Sequence, residues 1–573
     1  MARADLVLLH APSVYDFRES SIMFGPVSDM VPSTPVFEMY PIGLTTIAEH
    51  LERHGLSVRI VNLAVRMLRD PRFDVERAVA GMQAALFGID LHWLPHAHGA
   101  VEVARIVKRL HPDSIVVLGG LTASFYHEEL MEYGCVDAVM RGDSTEEPMR
   151  QLVEAVRGGG CMADVPNLTW KDSTGAVHVN PLSWVPRDFN DVSLDYSYNM
   201  KAAVRHRDLV SLLPFKDWLA YPACAALTSR GCAHDCVTCG GSAYAFRTHF
   251  GRSRPAFRDP ERVAADIAHI QRYIPGPVFV LNDPLQAGMQ YAEDLVRAIG
   301  RLDLPNPVAF EFFKPPPEGW WEFVGAHIRD WSAEISMESH DDEVRAAFGR
   351  RYAAEELERS IRRAFECGCR RFDVYFMTGL PQQTAASVRE TPEYVRHLYD
   401  VAGPFRHRLL AFISPMAPTL DPGSRVFDDP ERYGYALRAR SLEEHRRLLV
   451  QPSWKHILNY ETRWMSRDEQ VEATYEAALG VTRAKVEAGA VPREEGEATA
   501  ERIGRARRVM ALIDQVMESD PVLRSSRLRA LKEEFDSVSE STVCDKRELA
   551  WQWRARPAMV FNVLALWARE TFM

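Results

Sequence analysis

Short apolar runs alternate with amphipathic stretches from the start of the chain: 6–10, 58–61, 85–90, 114–120 and 136–143 read as strands. Helical spacing covers 42–54, 74–84, 100–110, a stretch after Ser124, and 145–156. Such alternation predicts a doubly wound parallel sheet whose ligands lie at the carboxyl ends of the strands. A second series begins near residue 221, with apolar runs at 225–229, 278–283, 308–313, 333–339, 371–381 and 409–415 separated by amphipathic helices. It predicts a partial barrel of about six strands with its active residues at the strand ends. Beyond residue 425 the pattern is helical at 442–449, 467–488, 497–517 and 549–567, the last broken at Pro557. The chain therefore reads as α/β with four segments: a sheet domain over 1–165, an irregular linker over 166–220, a barrel over 221–425 and a helical region over 426–573.

Composition narrows the functions. At 573 residues and 46% hydrophobic the chain is ordinary for a globular protein, and no apolar run approaches the roughly 20 residues that cross a bilayer. A net charge of -11 argues against a phosphate-binding surface, so neither membrane nor nucleic acid is an expected partner. The N-terminal run MARADLVLLHAPS is too short for a secretory core, which points to a reducing cytoplasm.

The chemistry concentrates in SRGCAHDCVTCGG, where Cys232, Cys236 and Cys239 are spaced CxxxCxxC. Zinc would call for a second paired block, and only His234 lies inside the loop; nine cysteines in 573 residues make no disulfide framework. Three clustered thiolates suit a 4Fe-4S cluster with one iron left open. This loop resembles the signature of radical S-adenosylmethionine (SAM) enzymes, and the resemblance implies that the open iron chelates the methionine part of SAM. One position departs from the family: Thr238 stands where an aromatic residue is usual, which weakens the inferred adenine contact and not the ligation.

With that loop downstream, the N-terminal order is similar to the cobalamin-binding Rossmann-like domain of one class of radical SAM enzymes. Gly119, Gly120 and Gly142 would let backbone approach cobalamin, with Thr122, Ser124 and His92 as further contacts. There is no GxGxxG, so a dinucleotide site is unsupported. The DxHxxG motif is also absent, and His10 reads as structural. Arg66 or Arg69, on the loop after the second strand, could lie beneath the corrin, a solvated helix start being the other reading. His92, His96 and His98 lack the carboxylate spacing of a metal site.

The barrel strand ends carry what the resemblance implies around SAM: Gly240 and Gly241, Asn282 and Asp283, Glu338 and Ser339, Arg351 facing the SAM carboxylate, and Thr378 with Gly379 against adenine. Tyr460 and Trp464 are candidates to line a substrate pocket, while the remaining tryptophans of the tail read as core. Cys367, Cys369 and Cys544 complete no second cluster.

Together the cofactors imply a cobalamin-dependent radical SAM C-methyltransferase using methylcobalamin, acting on a small-molecule natural-product or aromatic substrate. The cluster's electron would come from a flavodoxin- or ferredoxin-type donor. A cyclase or rearrangement enzyme with the same cofactors is the alternative, and a non-catalytic cobalamin or redox sensor is the third reading. A transfer-RNA thiomethylating enzyme would need a second cysteine trio and a basic module, and neither is present.

Overall fold

The computed structural model describes residues 4–19, 34–194, 197–274, 276–416, 419–534 and 543–554. The N-terminal sheet is built from β1 (Ala4–His10), β2 (Val58–Asn62), β3 (Ala84–Asp90), β4 (Ile115–Gly119), β5 (Ala138–Met140), β6 (Leu168–Lys171) and β7 (Val177–Val179). Their order is β2-β1-β3-β4-β5-β6-β7, the first five parallel and the last two antiparallel.

Alternation along each strand explains why both faces are covered. Leu6, Leu8, Leu86, Val117 and Met140 pack with Leu44, Ile47 and Leu51 of helix Ile42–Arg53 and with Met149 and Leu152 of helix Glu146–Gly158. Val7, Leu9, Phe87, Ile89, Val116 and Leu118 face the other way, into the cluster that holds Val101 and Ala104 of helix Ala97–Leu110.

Six parallel strands form the second sheet: β8 (Cys224–Leu227), β9 (Val278–Leu281), β10 (Val308–Phe312), β11 (Trp331–Glu338), β12 (Phe372–Thr378) and β13 (Leu409–Pro415). Sequential neighbours pair throughout, so the sheet is the expected partial barrel. Val278, Val280, Phe310, Ala333, Ile335 and Val374 turn outward beneath the helices. The positions between them, among them Phe279, Leu281, Glu311, Glu334 and Asp373, form the concave face.

Two regions differ from the sequence pattern. Residues 166–220 are not wholly irregular: β6 and β7 extend the first sheet as a hairpin, and Ser197–His206 is helical. At the far end, Lys546–Leu549 make a single 3-10 turn and 550–554 have no helix, while the rest of the expected 549–567 helix, Pro557 and Trp567 included, lies outside the described residues. Arg371 at the start of β12 donates to the carbonyls of Glu548 and Ala550, Lys485 pairs with Glu548 at 2.7 Å, and Trp551 stacks on Phe279 at 5.4 Å. The segment 543–554 is thus a strap across the concave face.

Candidate functional site

β8 delivers the cysteine loop, and the turn is fixed before the first cysteine is reached. Thr228 Oγ1 donates to the Leu281 carbonyl at 2.5 Å. Ser229–Arg230 then pairs antiparallel with Ala256–Phe257, and Gly231 has φ 84°, where a Cβ would lie 2.7 Å from Arg252 Cδ and 3.2 Å from Pro255 Cα. Cys232, Cys236 and Cys239 are free thiols, and backbone amides donate to two of them, His234 to Cys232 at 3.4 Å and Gly241 to Cys239 at 3.3 Å. Burial pushes the Cys236 thiol up to about 11, and burial with the charges of Asp421, Cys236 and Cys232 pushes Cys239 well above the ordinary thiol range. Three clustered thiols, Cys236 buried and Cys232 and Cys239 half-buried, that repel one another as thiolates call for a positively charged group among them. Among the described residues no three His, Cys, Asp or Glu side chains converge as around a single ion. Three thiols on one tight loop suit the thiolate donor set of an iron-sulfur cluster.

The strand ends around the loop are partly as expected. Asn282 has φ 68° and donates through Nδ2 to Ser229 Oγ at 2.8 Å and to the Gly231 carbonyl at 3.2 Å, so it braces the loop's root. Asp283 is buried with Oδ2 unpartnered, and burial raises it to about 6. Gly240 donates to Asp421 at 3.0 Å, a Cβ there would meet Asp421 Cβ at 2.9 Å, and burial holds Asp421 at about 6. Glu338 follows a register shift in β11 with φ 71°, and Ser339 Oγ accepts the Asp341 amide at 3.2 Å.

Arg351, expected to face the SAM carboxylate, is exposed, whereas its neighbour Arg350 is buried beside the cysteine loop. Arg350 is 7% exposed, lies over the Phe313 ring at 4.5 Å and faces Glu338 at 3.8 Å, with Cys236 and Cys232 near enough to raise its pKa. Thr378 and Gly379 are not open to adenine. Thr378 Oγ1 hydrogen-bonds Thr474 Oγ1 at 2.8 Å, and the Gly379 carbonyl accepts the Tyr435 hydroxyl at 2.7 Å. Gly379 has φ 94° and no room for a side chain beside the Tyr460 hydroxyl and Gln470, so the turn is a seat for the C-terminal region. Tyr460 is fully buried there, donating to the Met416 carbonyl, and Trp464 packs on Arg463 and Gly434; neither lines the cavity described next.

A cavity of about 810 Å³ runs from the carboxyl ends of the first sheet to the concave face of the second. Its wall contains Gly119, Gly120, Gly142 and His92 from the sheet domain, Ser229, Arg230 and Gly231 from the root of the cysteine loop, and Leu227, Phe279 and Leu281 from the barrel. Gly120, at φ 118°, also meets a steric demand from the protein, since a Cβ would lie 2.5 Å from His92 Cα. Thr122 and Ser124 do not line the cavity but tie its loops. Thr122 Oγ1 donates to the His92 carbonyl at 3.0 Å, while Ser124 Oγ donates to Gly120 at 2.7 Å and accepts from the Gly142 amide at 2.9 Å. One branch of the cavity passes Leu8, Gly88, Val117, Met140, Leu44, Ile47 and Met149, between the sheet and its covering helices. An apolar slot beside a glycine-lined rim fits an extended macrocyclic cofactor with an appended tail.

Arg66 and Arg69 lie elsewhere. They belong to helix Leu63–Arg69, capped by Asn62 Oδ1 accepting the Val65 amide at 3.0 Å, and neither lines the cavity. Arg66 is engaged by Asp208 at 2.5 Å and by the Phe73 ring at 5.2 Å, and Arg69 is exposed. The helix follows the edge strand β2, which turns its residues away from the central strand ends. His10 bonds Asp90 at 2.8 Å and the Phe37 carbonyl at 3.1 Å, His96 bonds the same carbonyl at 2.8 Å, and His98 accepts the Tyr15 amide at 3.3 Å.

Sequence reasoning missed Trp93, Trp218 and Trp551, the aromatic side of the cavity. Trp218 follows the linker's short turns and had no periodic signal, while Trp551 fell in a pattern that reads as a core helix and instead arrives from the strap. It also missed the pairs that hold the halves together: Arg230 with Glu146 at 2.7 Å, and Arg252 with Asp143 at 3.0 Å and Ser144 Oγ at 3.1 Å.

Residues 30–152 match the B12 binding domain family, and residues 227–395 match the radical SAM superfamily. The hopanoid C-3 methylase of Methylococcus capsulatus is 27% identical over 272 residues, 47% of this chain and 47% of that protein. The 2-(S-pantetheinyl)-carbapenam-3-carboxylate methyltransferase of Streptantibioticus cattleyicolor is 24% identical over 390 residues, 65% of this chain and 53% of that protein. The chain thus spans about half the length of these curated relatives. A solved structure of the radical SAM methyltransferase TsrM from Kitasatospora setae, with cobalamin and a 4Fe-4S cluster bound, superposes with a TM-score of 0.59 at 16% identity, covering 88% of this chain and 99% of that one. The last likeness is one of fold.

Proposed function

We propose, since this chain belongs to the radical SAM proteins that carry a B12-binding domain, that it is a methyltransferase acting on carbon of a small natural-product or aromatic molecule. The observation that carries the reading is a cavity walled jointly by the glycine ends of one sheet, the root of the cysteine loop and the concave face of the other sheet. When bound, the cluster with SAM supplies one-electron chemistry, and cobalamin supplies a transferable methyl group.

The protein's part is holding and orienting. Cys232, Cys236 and Cys239 would hold the cluster, with Arg350 as the nearby fixed cation and Glu338 and Asp283 as acceptors for SAM. The rim of Gly119, Gly120 and Gly142 would take the corrin edge, and the slot past Gly88 and Val117 its tail. Arg230 with Glu146, and Arg252 with Asp143, set the spacing between the two halves. Trp93, Trp218, Trp551 and Phe279 give the space between them flat apolar walls, which favour an aromatic substrate and keep water out.

Anaerobic turnover with methyl-labelled SAM and a flavodoxin- or ferredoxin-type reductant tests the reading against a panel of heteroaromatic acceptors. Label in a carbon-methylated product supports it. Product without label points to a rearrangement and overturns the methyl transfer, and no product with no SAM cleavage leaves a cobalamin-binding protein without turnover. Cys236→Ala is expected to lose bound iron and all SAM cleavage; retained iron with full activity refutes the cluster assignment.

A further inference from the structure

Most charged side chains on the cavity wall answer one another. Glu146 pairs with Arg230 at 2.7 Å, Asp143 is held by Arg252 at 3.0 Å, and Asp90 by His10 at 2.8 Å. Asp421 is different. Among the described residues no cation pairs with it, and its side chain makes one hydrogen bond, accepting the Gly240 amide through Oδ2 at 3.0 Å, so Oδ1 is left open. The residue is exposed, and it lines the cavity, so its open surface faces that space. Protein surrounds it otherwise: burial raises the carboxyl to about 6, and no neighbouring cation acts to lower it.

The carboxylate is also held in place. Asn459 clamps the residue before it, its Oδ1 accepting the Leu420 amide at 2.6 Å and its Nδ2 donating to the Leu420 carbonyl at 3.0 Å. The Asp421 carbonyl accepts the Ser424 amide at 3.2 Å, and a Cβ at Gly240 would lie 2.9 Å from Asp421 Cβ. Apolar surface adjoins it. A Cβ at Gly241 would lie 4.0 Å from Phe246 Cε2, and Phe246 packs with Leu121, both on the cavity wall. A fixed acceptor thus stands beside an aromatic ring where the cysteine loop approaches the glycine rim.

We propose that the open Oδ1 of Asp421 accepts one N–H from the edge of a neutral aromatic ring in the substrate, which fixes how that ring lies in the cavity. A buried acceptor without a partner is costly, and a donor carried on a flat apolar framework satisfies it while the rest of the framework meets apolar wall. One open oxygen matches one ring N–H. An ammonium brings three N–H donors, and beyond Asp421 this stretch of wall offers only the Thr419 hydroxyl, so a donor would be left unpaired. The inference rests on the cavity being the substrate site.

Three probes share a bicyclic frame: indole has a ring N–H, benzothiophene has no donor, and benzothiophen-3-ylmethylamine has an ammonium without a ring donor. Calorimetry and saturation-transfer NMR on the full-length reconstituted protein compare them. Indole is expected to bind at least about tenfold more tightly than the other two, as for a hydrogen bond to a charged acceptor. Asp421→Asn keeps the size and an acceptor for Gly240 but loses the charge, and it is expected to bring indole within about twofold of benzothiophene while iron content and SAM affinity stay unchanged. Equal binding of the probes, no saturable binding of indole, or tighter binding of the ammonium overturns the proposal. So does a preference that survives Asp421→Asn, or a loss of iron or SAM affinity in that variant. Label transfer without the N–H preference removes this inference alone, and the preference without label transfer removes the methyl-transfer reading alone.

Discussion

Glu146→Ala strips the partner from Arg230 at the seam between the two sheets. The side chains are 11% and 4% exposed, and the pair shares Thr46, whose hydroxyl donates to Glu146 at 2.6 Å. Removing one member of a buried ion pair costs about 3–5 kcal/mol, because the other charge is left in a low-dielectric site. At the lower end of that range, about 3 kcal/mol, and a urea slope of about 3 kcal/mol per M, the first unfolding midpoint falls by about 1 M. Tryptophan fluorescence during urea titration reads it. The double variant Glu146→Leu, Arg230→Met replaces both charges by apolar groups and is expected to regain most of the loss. A Glu146→Ala midpoint within about 0.2 M of wild type, or a double variant no better than the single one, would refute the reasoning.

Arg350→Lys keeps a charge but loses the planar contact over Phe313, and SAM affinity by calorimetry is expected to fall about tenfold or more while Arg351→Lys leaves it unchanged; equal effects would undo the assignment. Gly120→Ala forces a side chain into φ 118° and against His92 Cα, so cobalamin uptake followed by absorbance is expected to drop about tenfold or more, and normal uptake would show that the loop can yield. Glu52 is raised to about 7 by burial, above its unfolded value near 4.3. Its stabilising contribution is therefore complete below pH of about 4 and lost as pH rises through about 7, so Glu52→Gln is expected to gain on wild type between those values; a stability difference flat with pH contradicts this.

Much of the architecture was legible because it rests on periodicity. Five parallel strands of one sheet and six of the other declare themselves by apolar runs of the right length, and the cysteine loop by fixed spacing. What failed was register and neighbourhood. Two adjacent arginines differ by one position, and only the packing of Phe313 and Glu338 decides that Arg350 turns inward. Arg66 looked available because the chain gives no sign that β2 is an edge strand or that Asp208, from the linker, would claim it. Thr378 and Gly379 have the composition of a ligand turn, but helix Arg467–Glu487 and the Tyr435–Leu437 strand cover them from a distance in sequence that no local pattern reports.

The strap of 543–554 bears on how the molecule is put together. Ribosomal synthesis delivers the glycine rim and the cysteine loop long before Trp551 emerges, and domains tend to fold as they appear. Until then the chamber lacks a wall, and Phe279 and Arg371 lack their late partners.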